Sequence, residues 1–251
     1  MQLISCHDGR LLTLESAHLG ADSRRSFRTG LDALDATAPA GAFGLGAVHE
    51  LLSQPRDPRP LFIATLLARA ASGGCSTLPD SKNSAEANLP PSAVIWCDPQ
   101  AELYPPALAA QGLALQQVFL LHPQVADQTW AVAECLRCKG VGAVVATLPR
   151  LSRIEARRLQ LAAEQGGGAG IFLRPADSSI YAASTRWLIT PAPARRTAQR
   201  WNIQLIHGHG GRLGHQVTLE HCREDHSLRT IDPMADRPSQ EATPPRIAKA
   251  S

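Results

Sequence analysis

Two apolar patterns divide the chain into elements. In residues 93–98 and 142–148 the hydrophobic positions run almost without a break, as in strands covered on both faces of a sheet. Residues 47–52, 117–121, 169–173 and 187–190 are shorter runs of the same kind and read as further strands. Helical patterns lie between them. Residues 60–70 are apolar nearly all round, as a buried helix is, and Pro60 stands in the first turn, where its missing N–H goes unused. Further helices are predicted at 30–37, at 104–111, at 126–139 with Trp130, Ala133 and Leu136 stacked, and at 152–164. Alternating strands and helices with unbroken apolar strands predict an α/β fold, a mostly parallel central sheet with helices on both faces. Residues 201–205 and 216–220 instead alternate apolar and polar positions around a glycine-rich turn, the pattern of an edge hairpin.

Three stretches fall outside this scheme. Residues 72–92 hold Pro79, Pro90 and Pro91 with almost no large apolar side chain, and are expected to form an exposed insertion. Residues 1–26 read as an arm, and 233–251 as a polar, proline-rich tail. One core over 27–232 remains, and 44% hydrophobic content across 251 residues is enough to fill it. A formal charge of +3 makes no global demand for nucleic acid. No apolar run approaches the ~20 residues a spanning helix needs, and the start lacks an export pattern. A cytoplasmic protein with its six cysteines reduced is expected, without a membrane role.

Most of the motifs that invite chemistry have plainer explanations. Gly41, Gly44 and Gly46 precede a strand instead of following one, so they suit a turn better than a dinucleotide loop. Cys135 and Cys138 have ligand-like spacing, but they lie within a helical pattern and no second pair accompanies them. His207, His209, His215, His221 and His226 are irregularly spaced and read as solvated hairpin residues. Two arginine groups carry more weight. Arg150, Arg153 and Arg157 fall on one face of the 152–164 helix, with Ile154 and Leu161 expected to face elsewhere. Arg195, Arg196 and Arg200 precede the hairpin. Either group could meet DNA phosphate or an acidic protein surface, against the simpler reading of a solvated face.

The order of elements resembles the RecA ATPase core. Residues 94–105, Val-Ile-Trp-Cys-Asp-Pro-Gln-Ala-Glu-Leu-Tyr-Pro, are similar to the segment of bacterial RecA that carries its catalytic glutamate. The combination of residues 27–35 (Phe-Arg-Thr-Gly-Leu-Asp-Ala-Leu-Asp), 49–52 (His-Glu-Leu-Leu), 103–108 and 159–164 resembles, more closely, the ImuA family of RecA-like, SulA-related proteins from damage-inducible translesion cassettes. That resemblance implies a RecA-like core and a part in SOS-induced mutagenic repair. The partners it implies are RecA, ImuB and an error-prone DNA polymerase, with DNA engaged indirectly at the nucleoid.

The catalytic parts of the RecA pattern are absent. Where a phosphate loop with its lysine belongs, the chain has Pro55, Arg56, Pro58, Arg59 and Pro60, and the prolines lack the N–H donors that cradle an anion. The water-polarising acid falls near Gln100, and an amide is no general base. The metal-associated acid falls near Ala146, which offers no oxygen. A protein that is not an enzyme, holds no cofactor or metal and acts through its surfaces is therefore expected, one that could cap a RecA-type filament. The alternatives are a SulA-type cell-division inhibitor and a divergent DNA-dependent ATPase using Arg56 or Arg59 in place of lysine.

Overall fold

The computed structural model describes residues 26–54, 57–73, 92–194, 198–224 and 226–231, with the backbone alone of 4–7 and 10–13. Most of the expected arm, the bulk of the insertion (74–91) and the tail lie outside the described residues. The strands are β1 (Ile4–His7), β2 (Arg10–Thr13), β3 (Ser26–Phe27), β4 (Phe43–Gly44), β5 (Ala47–Ser53), β6 (Ala93–Cys97), β7 (Val118–Leu121), β8 (Val141–Thr147), β9 (Ala169–Pro175), β10 (Thr185–Ala192), β11 (Ala198–Gly208), β12 (Gln216–Cys222) and β13 (Leu228–Ile231). The helices are α1 (Asp32–Asp35), α2 (Arg59–Ala71), α3 (Pro105–Ala110), α4 (Gln128–Arg137) and α5 (Arg153–Gly166).

Nine strands form the central sheet in the order β13-β12-β11-β10-β5-β9-β8-β6-β7. From β10 to β7 all pairings are parallel, and β11, β12 and β13 continue antiparallel from β10. This is the predicted α/β architecture. The expected hairpin is present as β11–β12, and β13 extends the sheet one strand beyond it.

Burial on both faces explains the unbroken apolar runs. One face packs Leu51, Val94, Trp96, Val145 and Ile171 under α2, and Leu108 of α3 joins the same cluster. On the opposite face Val48, Val144, Ala146 and Phe172 meet Val132 and Leu136 of α4 and Leu159 and Ala163 of α5. Helix α2 is apolar all round because it is roofed as well as floored. Phe27, Leu31, Leu34 and Phe43 of the 26–45 segment belong to its cluster. Asp35 pins that roof in place. Its carboxylate accepts from the Thr29 amide (2.9 Å), the Thr29 hydroxyl (2.8 Å) and the Gly30 amide (3.2 Å). Gly30 supplies the left-handed backbone (φ 83°) that this turn requires.

The antiparallel half is built differently. Trp201, Ile203 and Leu205 point to the α2 side, while Asn202 and Gln204 point away, with Thr218 donating to Asn202 at 2.8 Å. One covered face and one polar face give the alternation seen in the sequence.

Helices α4 and α5 end in close contact. A Cβ on Gly166 would lie 1.8 Å from the Leu136 carbonyl oxygen, and Gly167 closes α5 at φ 85°. At its start, α5 has a capping box in which the Glu155 amide donates to Ser152 Oγ (3.2 Å) and the Ser152 amide donates to the Glu155 carboxylate (2.8 Å).

Three apolar side chains of α4 and α5 stand in solvent. Trp130 is 60% exposed, and α4 buries Val132, Ala133 and Leu136 instead. At 3.6 residues per turn, positions 130 and 136 lie about 120° apart, too far round the helix to share one stripe. Ile154 and Leu161 are also exposed, at 77% and 47%.

Candidate functional site

In open α/β sheets, ligands bind at the carboxyl ends of the parallel strands, where the chain reverses direction across the sheet. Here the chain runs from β6 outward to β7 and then returns to β8 between β6 and β9. The β5–α2 loop, Gln100 after β6 and Ala146 in β8 all belong to this carboxyl edge. The structure thus brings the three positions read as degenerate to one side of the sheet.

At the start of α2 the donors that would hold an anion are already in use or missing. Pro58 caps the helix and Pro60 follows within the first turn, neither carrying an N–H. The Arg59 amide donates to Asp57 Oδ1 (3.0 Å), the Arg59 side chain donates to the same oxygen (2.5 Å), and the Leu61 amide turns to the Pro58 carbonyl (3.1 Å). Asp57, with its side chain 2% exposed, places its own carboxylate at the positive end of the helix. Its second oxygen is buried without a hydrogen-bond partner. A phosphate at this terminus would meet a buried negative charge and few donors. Pro55 and Arg56 lie outside the described residues.

The other strand ends are similarly engaged. Asp98 accepts from the Leu103 amide (2.7 Å), its carbonyl lies 2.6 Å from His122 Nδ1, and Gln100 points into solvent. Ala146 is fully buried, and the Thr147 carbonyl accepts from Gln128 (3.0 Å). Gln100 and Ala146 offer no carboxylate at these two positions.

Beside β5 lies an ionic cluster that sequence reading missed. Glu50, 1% exposed, bonds Arg174 of β9 at 2.7 Å and Arg186 of β10 at 2.8 Å. The two guanidinium groups also donate to the carbonyls of Ile180 (2.6 Å) and Ser178 (2.5 Å), and Arg186 lies 4.2 Å from the centre of the Tyr181 ring. The cluster therefore clamps the β9–β10 connection onto the sheet. Its signal was present as charged residues within apolar strands, with Glu50 directly across from Arg186, but the pairing of strands had to be known first.

His49 next to it is fully buried. Trp187 donates to the Thr185 hydroxyl (2.8 Å), which lies 2.7 Å from His49 Nδ1, and His49 Nε2 lies 2.9 Å from the Gly44 carbonyl. The hydroxyl proton then goes to Nδ1 and the ring proton stays on Nε2, so the imidazole is neutral. Burial depresses its pKa to about 4.

The arginines fall into two settings. Arg200 of β11 is ion-paired with Glu220 at 2.6 Å, and Glu220 also meets Arg229 at 3.2 Å. Arg195 and Arg196 lie outside the described residues. Arg150, Arg153 and Arg157 are exposed beside β8 and along α5, and Arg153 and Arg157 line a groove of about 510 Å³ with Arg137, Arg158, Ile154 and Leu161. Ile154 and Leu161 therefore share the arginine face. Seven residues bring a helix back to within about 20° of its starting direction, and Arg157 is only about 60° from Ile154.

Cysteine and histidine positions suggest packing roles. Burial pushes the Cys97 thiol up to about 11 and raises that of Cys135, so neither offers a thiolate at neutral pH. His221 is buried against Phe62, 4.7 Å between ring centres, instead of solvated. Among the described residues no group of three His, Cys, Asp or Glu side chains is placed to hold a metal ion, and no helix is long and apolar enough to cross a membrane.

No family model matches the chain. Among curated proteins it is similar to protein ImuA of Caulobacter vibrioides, in strains NA1000/CB15N and ATCC 19089/CB 15. Each is 28% identical over 232 residues, covering 82% of this chain and 89% of the relative. The matched span takes in most of the chain and most of the relative. The chain is a homologue of ImuA.

Proposed function

We propose that this protein is a non-catalytic accessory factor of SOS-induced translesion DNA synthesis, working by protein–protein association from a RecA-like core over residues 27–232. The observation that carries the reading is the start of α2. Asp57, Pro58 and Pro60 occupy the place where a phosphate-binding loop would present donors. A core that cannot hold phosphate there has its surfaces left to work with.

Those surfaces support association. Edge strand β7 has no charged residue and no proline to guard it, and it exposes Phe119 (58%) and Leu120 (37%). Exposed apolar groups gathered along an unprotected edge mark a binding face. Resemblance to the ImuA family names the partners: ImuB, RecA and an error-prone DNA polymerase.

Immobilised ImuB and RecA, offered the full chain with and without ATP and magnesium, test the reading. Retention on at least one bait, unchanged by nucleotide, is expected. Failure on both baits, or retention only with ATP, would overturn it.

A further inference from the structure

The outer face of α5 is a second surface, and its chemistry specifies an occupant. Arg153, Arg157 and Arg158 are exposed, and among the described residues none of them has an ion pair or hydrogen bond to a carboxylate. The acidic residues of the same helix bond mainly to other groups, with Glu155 reaching Arg158 only through space. Glu155 closes the capping box, where the Ser152 amide and hydroxyl hold its carboxyl below the usual range, and Glu164 accepts from Gln160 (2.9 Å). Between the arginines stand Ile154 and Leu161, an aliphatic pair two helical turns, roughly 10 Å, apart. A groove of this sort has an apolar floor and a cationic rim.

We infer that the α5 groove docks an acidic amphipathic helix of a partner protein. Apolar side chains of that helix would cover Ile154 and Leu161, while its flanking carboxylates would meet Arg153, Arg157 and Arg158. Helix-in-groove recognition uses anchors at this spacing, and charge complementarity at the rim fixes register and speeds encounter. Nucleic acid fits less well. No aromatic side chain lines the groove for base stacking, and two exposed aliphatic groups would gain nothing against a phosphate backbone.

Fluorescence anisotropy with the full chain tests the inference using three defined probes. One is a 16-residue peptide of leucine and glutamate with leucine on one helical face, the second has the same composition with leucine scattered, and the third is a single-stranded oligothymidylate. The amphipathic peptide is expected to bind, and the scrambled peptide and the oligonucleotide to bind much more weakly. Two sets of exposed substitutions, Arg153→Glu with Arg157→Glu and Ile154→Ser with Leu161→Ser, are each expected to weaken the peptide about tenfold or more. The proposal is overturned if the amphipathic peptide fails to bind, if it binds no better than its scrambled form, or if either set leaves its affinity unchanged. Oligonucleotide binding that needs the arginines but ignores Ile154 and Leu161 would likewise overturn it, making the groove a nucleic-acid contact.

Discussion

The carboxyl edge of the sheet and the outer face of α5 lie in one fold and treat charge in opposite ways. At the edge, each of the charged groups considered is answered from within the chain. Asp57 is held by Arg59, Glu50 by Arg174 and Arg186, and the Asp98 carboxylate by a backbone amide. On α5, Arg153, Arg157 and Arg158 form no such ion pair among the described residues, Glu155 acting on Arg158 only at longer range, and two aliphatic side chains stand open among them. The proposed role in protein–protein association rests on this contrast.

The comparison breaks most visibly at Glu50. Replacing it with alanine leaves two buried guanidinium groups without a counter-charge, so urea unfolding is expected to show a loss of about 3–5 kcal/mol. A loss below about 1 kcal/mol would mean that the cluster does not hold the closed side together.

His49 gives the closed side a pH signature. Its folded-state pKa, near 4, lies below the ordinary value of 6.5, so the unfolded chain takes up a proton first as pH falls. The stability it contributes is fully present above pH 6.5 and is lost as pH falls through about 4, a change on the order of 3 kcal/mol. Stability curves of the wild type and His49→Gln are expected to converge over that window; parallel curves would remove the assignment.

Asp57→Ala sharpens the comparison at the site itself. Losing the carboxylate that accepts from the Arg59 amide and side chain is expected to lower stability by about 1 kcal/mol. ATP affinity should not appear in the variant, because the prolines still withhold donors. Smallest of all is the effect on the open side. Arg157→Glu is expected to change stability by no more than about 0.5 kcal/mol, since the side chain is solvated and unpaired.

Much of this was legible in the sequence, for identifiable reasons. Buried parallel strands announce themselves as unbroken apolar runs, so β5, β6, β8 and β9 were placed to within a residue or two. The prolines after β5 also told their story directly, because a missing N–H is a property of the residue type. Asp57 was not legible as the carboxylate at the α2 terminus, since that depends on the turn bringing it back over the helix. Glu50, Arg174 and Arg186 are 124 or more positions apart by their pairings and meet only once the strand order is known. Trp130 was grouped with Ala133 and Leu136, and Ile154 and Leu161 were set apart from the arginine face, whereas helical phase turns Trp130 away from Leu136 and brings Ile154 and Leu161 beside Arg157. Strand β13 is short and of mixed polarity, and only its pairing with β12 defines it.

Thermal unfolding of the full chain, measured with increasing ATP and magnesium, tests the central claim most directly. A closed carboxyl edge predicts no shift in the midpoint at any nucleotide concentration. Stabilisation that grows with ATP and reaches about 2.7 kcal/mol at a hundredfold excess over the dissociation constant would show a working nucleotide site and contradict the account.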